Sequence, residues 1–253
     1  MKFLLNFVLI ILFSSILSAR EIGETEILTD EGIEVFQKEK YYLLKKNVRI
    51  TSDDFSLIGD KVEVYFEKDL YDIKKIVALG NVNFNSSENN IKGLGNKVII
   101  YTEIEEILIN GENSQLYTND TEMKSDGSIN VKNQTGEFFI LGNNSSLTAE
   151  EIYITGEKID GMFSAETEVN EIIFLDIMDE NISYIKTENT DMYAKKALYK
   201  KENDIIELFE NVKIIRDGET VSGDYGTLDT SDNSYKVKSN SSKKVKVILK
   251  NNE

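Results

Sequence analysis

The chain of 253 residues contains no histidine, no cysteine and no proline. Without histidine it lacks the commonest metal ligand and the commonest general base of proteins. Without cysteine it has no disulfide, no thiolate nucleophile and no acceptor for a lipoprotein anchor. Because proline is absent, every backbone N–H can donate to a sheet ladder, which suits long uninterrupted strands. These absences disfavour histidine- or cysteine-based enzymes and favour a β-rich structure.

Basic residues are outnumbered, with 29 Lys and Arg against 45 Asp and Glu, for a formal net charge of −16. That balance argues against a nucleic-acid partner, because affinity for phosphates comes from Lys and Arg. A hydrophobic fraction of 40% and an aromatic fraction of 9% are typical of a folded core. The length suits one large all-β domain or two ordinary ones.

The first nineteen residues, MKFLLNFVLIILFSSILSA, differ from the rest of the chain. Lys2 precedes an apolar run from Phe3 to Phe13, and residues 14–19 are richer in small and polar side chains. The apolar run is shorter than the roughly 20 residues that a membrane-spanning helix needs. We predict a signal peptide over 1–19 with cleavage after Ala19, and export to the periplasm; an uncleaved membrane anchor is the alternative. Removal of residues 1–19, which contain Lys2 and no acidic residue, would leave a net charge of −17.

Beyond Arg20, short runs alternate apolar and polar residues and are separated by turn sequences such as EKD, LGN, NSSENN and TSDNS. Such alternation predicts a sheet with one buried face. The segment 191–209 contains helix formers, yet its context favours strand. Asp229, Ser231 and Asn233 fit a hairpin turn better than a calcium loop, and 245–249 is predicted as a final edge strand.

The strand pattern repeats at intervals of roughly 30 to 40 residues, in the range of repeat architectures. Copies begin at Gly59, Gly95, Asp126, Gly156, Ala194 and Gly223, and the copy around Ile159 and Gly161 is the weakest. A jelly roll or sandwich, a β-solenoid and a closed barrel can each bury such stacked hairpins. The aligned apolar positions should face one side of the sheet; they are Val62, Val64, Val98, Ile100, Ile129, Val131, Ala197, Tyr199, Gly226 and Leu228.

The segment GDKVEVYFEKDLYDIKKIVALGNVNFNSSENNIKGLGNKVIIY, residues 59–101, resembles the OstA/LptA-type domain of lipopolysaccharide (LPS) transport. That family combines a small residue plus Asp, an alternating strand, the phrase I-x-x-V-x-A-x-G-N-V, and further glycines before a strand. The matching positions here are Gly59-Asp60, Ile73 to Val82, Gly93 and Gly95-Asn96. A second segment, 194–230, also resembles this family's domain. The two best repeat matches span 45–117 and 191–249, within a predicted domain of 20–253.

The resemblance implies an all-β fold, a twisted and partly open β-jelly roll built from repeated antiparallel hairpin units. It also implies an apolar groove for the lipid A part of LPS, with no enzymatic activity, no cofactor and no metal. The groove-facing candidates are Val62, Val64, Phe66, Val82, Phe84, Val98, Ile100, Ala197, Tyr199, Val212, Ile214 and Leu228.

Members of this family bridge the Gram-negative periplasm and take part in outer-membrane assembly. The implied partners, joined by edge-strand addition, are an inner-membrane LptC-type protein and an outer-membrane LptD-type barrel, together with head-to-tail self-association. An LptC-type anchored jelly roll of the same system and a structural or adhesive surface β-solenoid are the alternatives. A polysaccharide-active enzyme has only the acidic pairs Asp53-Asp54 and Glu105-Glu106 in its favour. An anionic ligand would need divalent cations or rim lysines to offset the acidic charge.

Overall fold

A computed structural model describes residues 22–68, 72–88, 90–164, 171–240 and 244–249. The predicted signal peptide, 1–19, lies outside the described residues. Within them, no helix is long and apolar enough to cross a membrane. The regular elements are one turn of 3-10 helix, Lys201–Asn203, and the strands β1 (Glu26–Leu28), β2 (Ile33–Phe36), β3 (Tyr41–Thr51), β4 (Phe55–Phe66), β5 (Ile73–Ser86), β6 (Ile91–Tyr101), β7 (Glu106–Asn110), β8 (Ser114–Tyr117), β9 (Thr121–Ser125), β10 (Ser128–Lys132), β11 (Glu137–Leu141), β12 (Ser146–Ala149), β13 (Ile152–Thr155), β14 (Lys158–Phe163), β15 (Ile172–Lys186), β16 (Asp191–Lys200), β17 (Ile205–Arg216), β18 (Glu219–Asp229), β19 (Tyr235–Lys238) and β20 (Lys246–Leu249).

All strand pairings are antiparallel, and most join neighbours along the chain. The prediction of strand over 191–209 is confirmed, because β16 and β17 form a hairpin around the 3-10 turn Lys201–Asn203. The turn predicted at Asp229 is also present, with the Ser231 N–H donating to its carboxylate at 2.9 Å. At the C-terminal end, β20 pairs with β18, as expected of a final edge strand.

The long strands β3, β4, β5, β6 and β15 to β18 each bend near their middle, where the pairing register shifts. One half of each strand pairs within one layer, and the other half pairs within a second layer. Layer A contains β2, β7, β10, β11, β14 and β19, and layer B contains β1, β8, β9, β12, β13 and β20. We call this line of bends the corner. The sheet is thus folded over at the corner into two facing layers.

Between β6 and β15 each long strand is replaced by two short ones, as in β7 and β8, or β11 and β12. Extra residues at the corner separate the two halves. Buried serines occupy this region: the Ser125 hydroxyl donates to the Leu141 carbonyl at 2.7 Å and lies 3.0 Å from the Ser145 hydroxyl. The insertions interrupt the repeated phrase, which explains why the sequence repeat is degenerate here.

Each layer carries a continuous ladder of inward-facing residues, one from each strand. The ladders are buried along their length and join one hydrophobic cluster, becoming partly exposed only at the terminal strands. Ladder A is Ile33, Leu44, Val62, Ala78, Val98, Ile109, Ile129, Ile140, Ile159, Ile177, Ala197, Leu208, Gly226 and Val237. Ladder B is Ile27, Ile50, Leu57, Phe84, Gly93, Leu116, Met123, Leu147, Ile154, Ile185, Met192, Ile214, Val221 and Val247.

The end of the family phrase, the G-N-V at Gly80 to Val82, forms the bend of β5 at the corner. In Gly80-Asn81 both residues have positive φ, +75° and +46°, a conformation that Gly and Asn tolerate best. The following Val82 lies opposite Gly95 on the next strand. The same pairing recurs between Val48 and Gly59 of β3 and β4, and between Val212 and Gly223 of β17 and β18. A valine–glycine pair therefore recurs at the bend. A Cβ atom on Gly95 or Gly223 would collide with Ile109 or with the Lys238 carbonyl oxygen, whereas Gly59 has room for one.

The predicted all-β class is confirmed: bent antiparallel hairpins repeat from end to end and form the two facing layers of a jelly roll. Residues from opposite layers interlock. Ile109 of layer A packs over Gly93 and Gly95 of layer B, and Ile214 of layer B lies beside Gly226 of layer A. Close-packed interiors of this kind leave few voids, so any large opening between the layers is informative.

Candidate functional site: an apolar opening between the layers

The two layers leave an opening at the rim opposite the corner, toward the N-terminal end of the stack. Two adjoining clefts occupy it. Their shared lining includes Phe55 from layer B and Ile73 and Ile76 from layer A. These residues lie near strand ends, away from the bends, where the facing layers are no longer held together by shared strands.

The first cleft has a volume of about 670 Å3 and lies between the rims of β4 to β7. Its apolar wall consists of Phe55, Ile73, Ile76, Phe84, Ile91, Ile100 and Ile107. Such a wall favours apolar groups of a ligand, because each CH₂ group removed from water contributes about 0.8 kcal/mol. The volume and lining are those of a small-molecule site with predominantly apolar walls.

The second cleft has a volume of about 890 Å3 and lies between β1 and β5. Its apolar wall adds Ile27, Ile33, Tyr42, Leu44, Ile50 and Val64. The segment 23–24 lines both clefts. The Gly23 N–H donates to Asp53 Oδ2 at 2.7 Å, which ties this segment to the β3–β4 turn. We call residues 23–24 the strap, because both residues line both clefts.

The structure places all twelve predicted groove residues on inward-facing positions. Val64 lines the second cleft, and Phe84 and Ile100 line the first. Val82 and Val212 lie at the corner. The remaining residues fill the interior between the layers, either in a ladder or in the row beside it: Val62, Phe66, Val98, Ala197, Tyr199, Ile214 and Leu228.

Sequence reasoning did not identify most of the cleft wall. Phe55, Ile91 and Ile107 were not singled out, although each continues the alternation of its strand toward the rim. Ile73 and Ile76 belong to the family phrase, but their pattern alone does not predict a place in the groove. Alternation indicates which side of the sheet a residue faces. The distance between the two layers at the rim depends on tertiary packing, which alternation does not report.

The outer face of β4 confirms the alternation predicted for this strand. Glu63, between inward Val62 and Val64, accepts hydrogen bonds from Lys61 Nζ and the Tyr65 hydroxyl, both at 2.7 Å. The hydrogen bond to Glu63 raises the pKa of Tyr65 to about 12, with a further contribution from burial. The bond from Lys61 is the main cause that lowers the pKa of Glu63. These polar partners stabilise the outer face while the inner face stays apolar.

Carboxylates surround the first cleft. Its lining includes Glu24, Asp53, Asp54, Glu88 and Glu105, and the second cleft adds Glu26. Among the described residues, no Lys or Arg lines either cleft. The opening therefore combines an apolar wall with an acidic rim.

The acidic pairs considered as catalytic candidates have structural partners. The Ser87 hydroxyl donates to Asp54, and Asn133 Nδ2 donates to Glu105 Oε2 at 2.7 Å. Glu106 accepts from Asn130 Nδ2 at 2.8 Å. Over the described parts of the chain, no three acidic side chains are grouped to hold a metal ion. The geometry thus assigns these carboxylates to turns and strand contacts.

Comparison with known proteins places this site within a matched segment. Residues 28–137 match the model of the family described as LptA/(LptD N-terminal domain) LPS transport protein. That segment contains the lining of both clefts except for residues 23–27. No curated protein matches the chain.

A solved structure also matches: LptH from Pseudomonas aeruginosa, described as the LptA homologous periplasmic component of the conserved lipopolysaccharide transport device. The sequence identity is 10%, the match covers 90% of this chain and 96% of that chain, and the TM-score is 0.23. The family match rests on the segment that carries the repeated phrase and the clefts. Residues 28–137 are therefore similar to this family of LPS transport proteins, in agreement with the resemblance predicted from the phrase at 59–101.

Proposed function

We propose that this chain is a periplasmic carrier that takes up the acyl chains of LPS in the opening between its layers and passes LPS toward the outer membrane. The observation that supports the proposal most directly is the apolar wall at the rim of a segment that matches an LPS transport family. Acyl chains cannot remain exposed to water without a large hydrophobic cost, and this wall offers them a dry surface. No nucleophile, metal or nucleotide is needed for such a transfer.

The ends of the stack support the proposed partners. Among the described strands, β1 and β2 pair only with β3, and β19 and β20 pair only with β18. Both ends carry exposed apolar residues, including Val35 at one end and Leu249 at the other. An unpaired strand edge can accept another strand. In the proposed pathway these edges meet an LptC-type protein, an LptD-type barrel or a second copy of the chain.

Site-specific photo-crosslinking tests the carrier role. A photoreactive residue at Ile100, which lines the first cleft, should capture LPS in cells. The matched control is the same residue at Ile99, its immediate neighbour on β6, which alternation places on the opposite face. A second inward position, Phe55, should also capture LPS.

Capture from Ile100 and Phe55 without capture from Ile99 supports the proposal. Equal capture from Ile99, or no capture from either cleft position in folded protein, contradicts it. Far-ultraviolet circular dichroism of each purified variant checks that the sheet is intact. Fractionation of the same cells tests the periplasmic location, and N-terminal sequencing distinguishes cleavage after Ala19 from the anchored, LptC-type alternative.

Crosslinking at the sheet edges tests the partners separately. Photoreactive residues at Val35 and Val247 should yield protein–protein adducts, whereas one at Met178, an exposed residue of the internal strand β15, should not. Mass spectrometry of the adducts identifies the partner at each end. Adducts at Met178 of equal yield would contradict edge-strand assembly.

A further inference from the structure

The charge at the rim of the clefts restricts which amphiphiles can enter them. Five carboxylates line the first cleft, and the same lining contains no Lys or Arg among the described residues. An acyl chain that lies against Phe84 and Ile100 places its polar head at this rim. Within a Debye length of about 10 Å at 0.1 M salt, like charges repel with little screening.

Two lysines next in sequence to the lining residues Ile73 and Ile76 have other partners. Lys74 is paired with Glu67 at 2.8 Å, and Lys75 lies over the ring of Tyr65, 4.1 Å from its centroid, on the outer face of the sheet. A surface depression that does contain lysines, Lys213, Lys244 and Lys246, lies at the other end of the stack. Within the part of the chain that the structure describes, no basic side chain lines the clefts to receive a phosphate.

We infer that the clefts admit acyl amphiphiles whose polar head carries no net negative charge at the rim. This inference rests on the proposed function, since it assumes that the clefts take up acyl chains. The required charge balance has two chemical sources. The head can carry its own amine, or an anionic head can arrive neutralised by a divalent cation.

Binding of three single-chain amphiphiles to the full folded protein tests this inference. Dodecyltrimethylammonium, dodecylphosphocholine and dodecyl phosphate share the same dodecyl alkyl chain, which stands in for an acyl chain, and differ in head charge. Each is titrated below its critical micelle concentration by isothermal calorimetry, once in EDTA and once in Mg²⁺. We expect the cationic and zwitterionic compounds to bind at least about tenfold more tightly than dodecyl phosphate in EDTA.

A variant that neutralises three of the five rim carboxylates locates the effect. The substitutions Asp54→Asn, Glu88→Gln and Glu105→Gln should raise the affinity for dodecyl phosphate in EDTA toward that of the zwitterion. The matched control, Glu180→Gln, Glu188→Gln and Glu202→Gln, removes the same formal charge from exposed positions that line neither cleft. It should leave the preference unchanged.

The outcomes separate the inference from the proposed function. Equal binding of all three compounds in EDTA overturns the inference and leaves the carrier role standing. Failure of all three to bind overturns the carrier role and the inference with it. If Mg²⁺ restores binding of dodecyl phosphate, the divalent cation is a sufficient source of neutralisation; if it does not, the amine-bearing head is the source.

Discussion

The ring of Phe84 occupies the space that a side chain on Gly93 would need. The two residues are cross-strand neighbours on β5 and β6, and a Cβ atom on Gly93 would collide with the Phe84 ring. Phe84 is 1% exposed and also lines the first cleft. This glycine therefore holds an aromatic wall residue in position at the base of the opening.

Replacing Gly93 with Ala should destabilise the protein, because the Phe84 ring or the β6 backbone must shift in a packed interior. Overpacking of this kind costs about 1–3 kcal/mol. Gly59→Ala is the matched control, since a Cβ there meets its nearest atom, the Leu79 carbonyl oxygen, at an ordinary 3.5 Å. Urea unfolding should show a lower midpoint for Gly93→Ala than for Gly59→Ala. Equal midpoints would mean that the ring relocates at no cost.

The corner geometry predicts that Gly is better tolerated than Ala at position 144. Asn144 has φ +55°, and its Nδ2 donates to Asp126 Oδ2 at 2.6 Å. Both substitutions remove that hydrogen bond, but only Ala keeps a Cβ in the left-handed region. Asn144→Ala should be less stable than Asn144→Gly by about 1 kcal/mol in urea unfolding. The opposite order would contradict the prediction, because it would show that a Cβ atom costs nothing in this left-handed conformation.

The tyrosine–carboxylate pairs predict a loss of stability in alkali. The pKa of Tyr65, Tyr225 and Tyr235 is raised to about 12 in the folded protein. An unfolded tyrosine titrates near 10. The folded state therefore holds these protons more tightly, so their stabilisation is present below about pH 10 and is lost as the pH rises through about 12. Thermal unfolding midpoints should fall over this window.

Variants of the Tyr65–Glu63 pair test whether their hydrogen bond causes the raised pKa of Tyr65. Glu63→Gln removes the carboxylate that accepts the Tyr65 hydroxyl hydrogen bond, so it should lower the phenol pKa and weaken the alkaline dependence. Tyr65→Phe should remove the contribution of residue 65 to the alkaline loss of stability altogether. Ultraviolet difference spectra of tyrosinate formation measure the titration directly. An unchanged titration curve in Glu63→Gln would contradict the assignment of the shift to this hydrogen bond.

Releasing the strap should speed entry into the clefts. Asp53→Ala removes the acceptor of the Gly23 N–H, whereas Asp54→Ala removes a carboxylate from the same rim without touching that bond. Both residues are exposed, so each change should alter stability by at most about 0.5 kcal/mol. Stopped-flow fluorescence with the neutral dye N-phenyl-1-naphthylamine should show severalfold faster binding for Asp53→Ala. The same rate in both variants would exclude a role for the strap at the opening.

The sequence predicted the faces of the strands more completely than the shape of the opening. Alternation placed Val62 and Val98 inward, and the structure aligns them in one ladder. The weak middle copy at Ile159 is in the same ladder, although the phrase around it is lost to corner insertions. Phe55 and Ile107 could not be assigned to a cleft, because their exposure depends on how far the layers separate at the rim.

The order of pairing also bears on how this structure is formed. Each strand of β3 to β6 and of β15 to β18 pairs with the next along the chain, and the short middle strands close nested hairpins of modest span. Contacts between sequence neighbours keep the entropy of loop closure small. The stack can therefore be assembled progressively from its N-terminal end, with each newly emerged hairpin templated by the edge of the one before it.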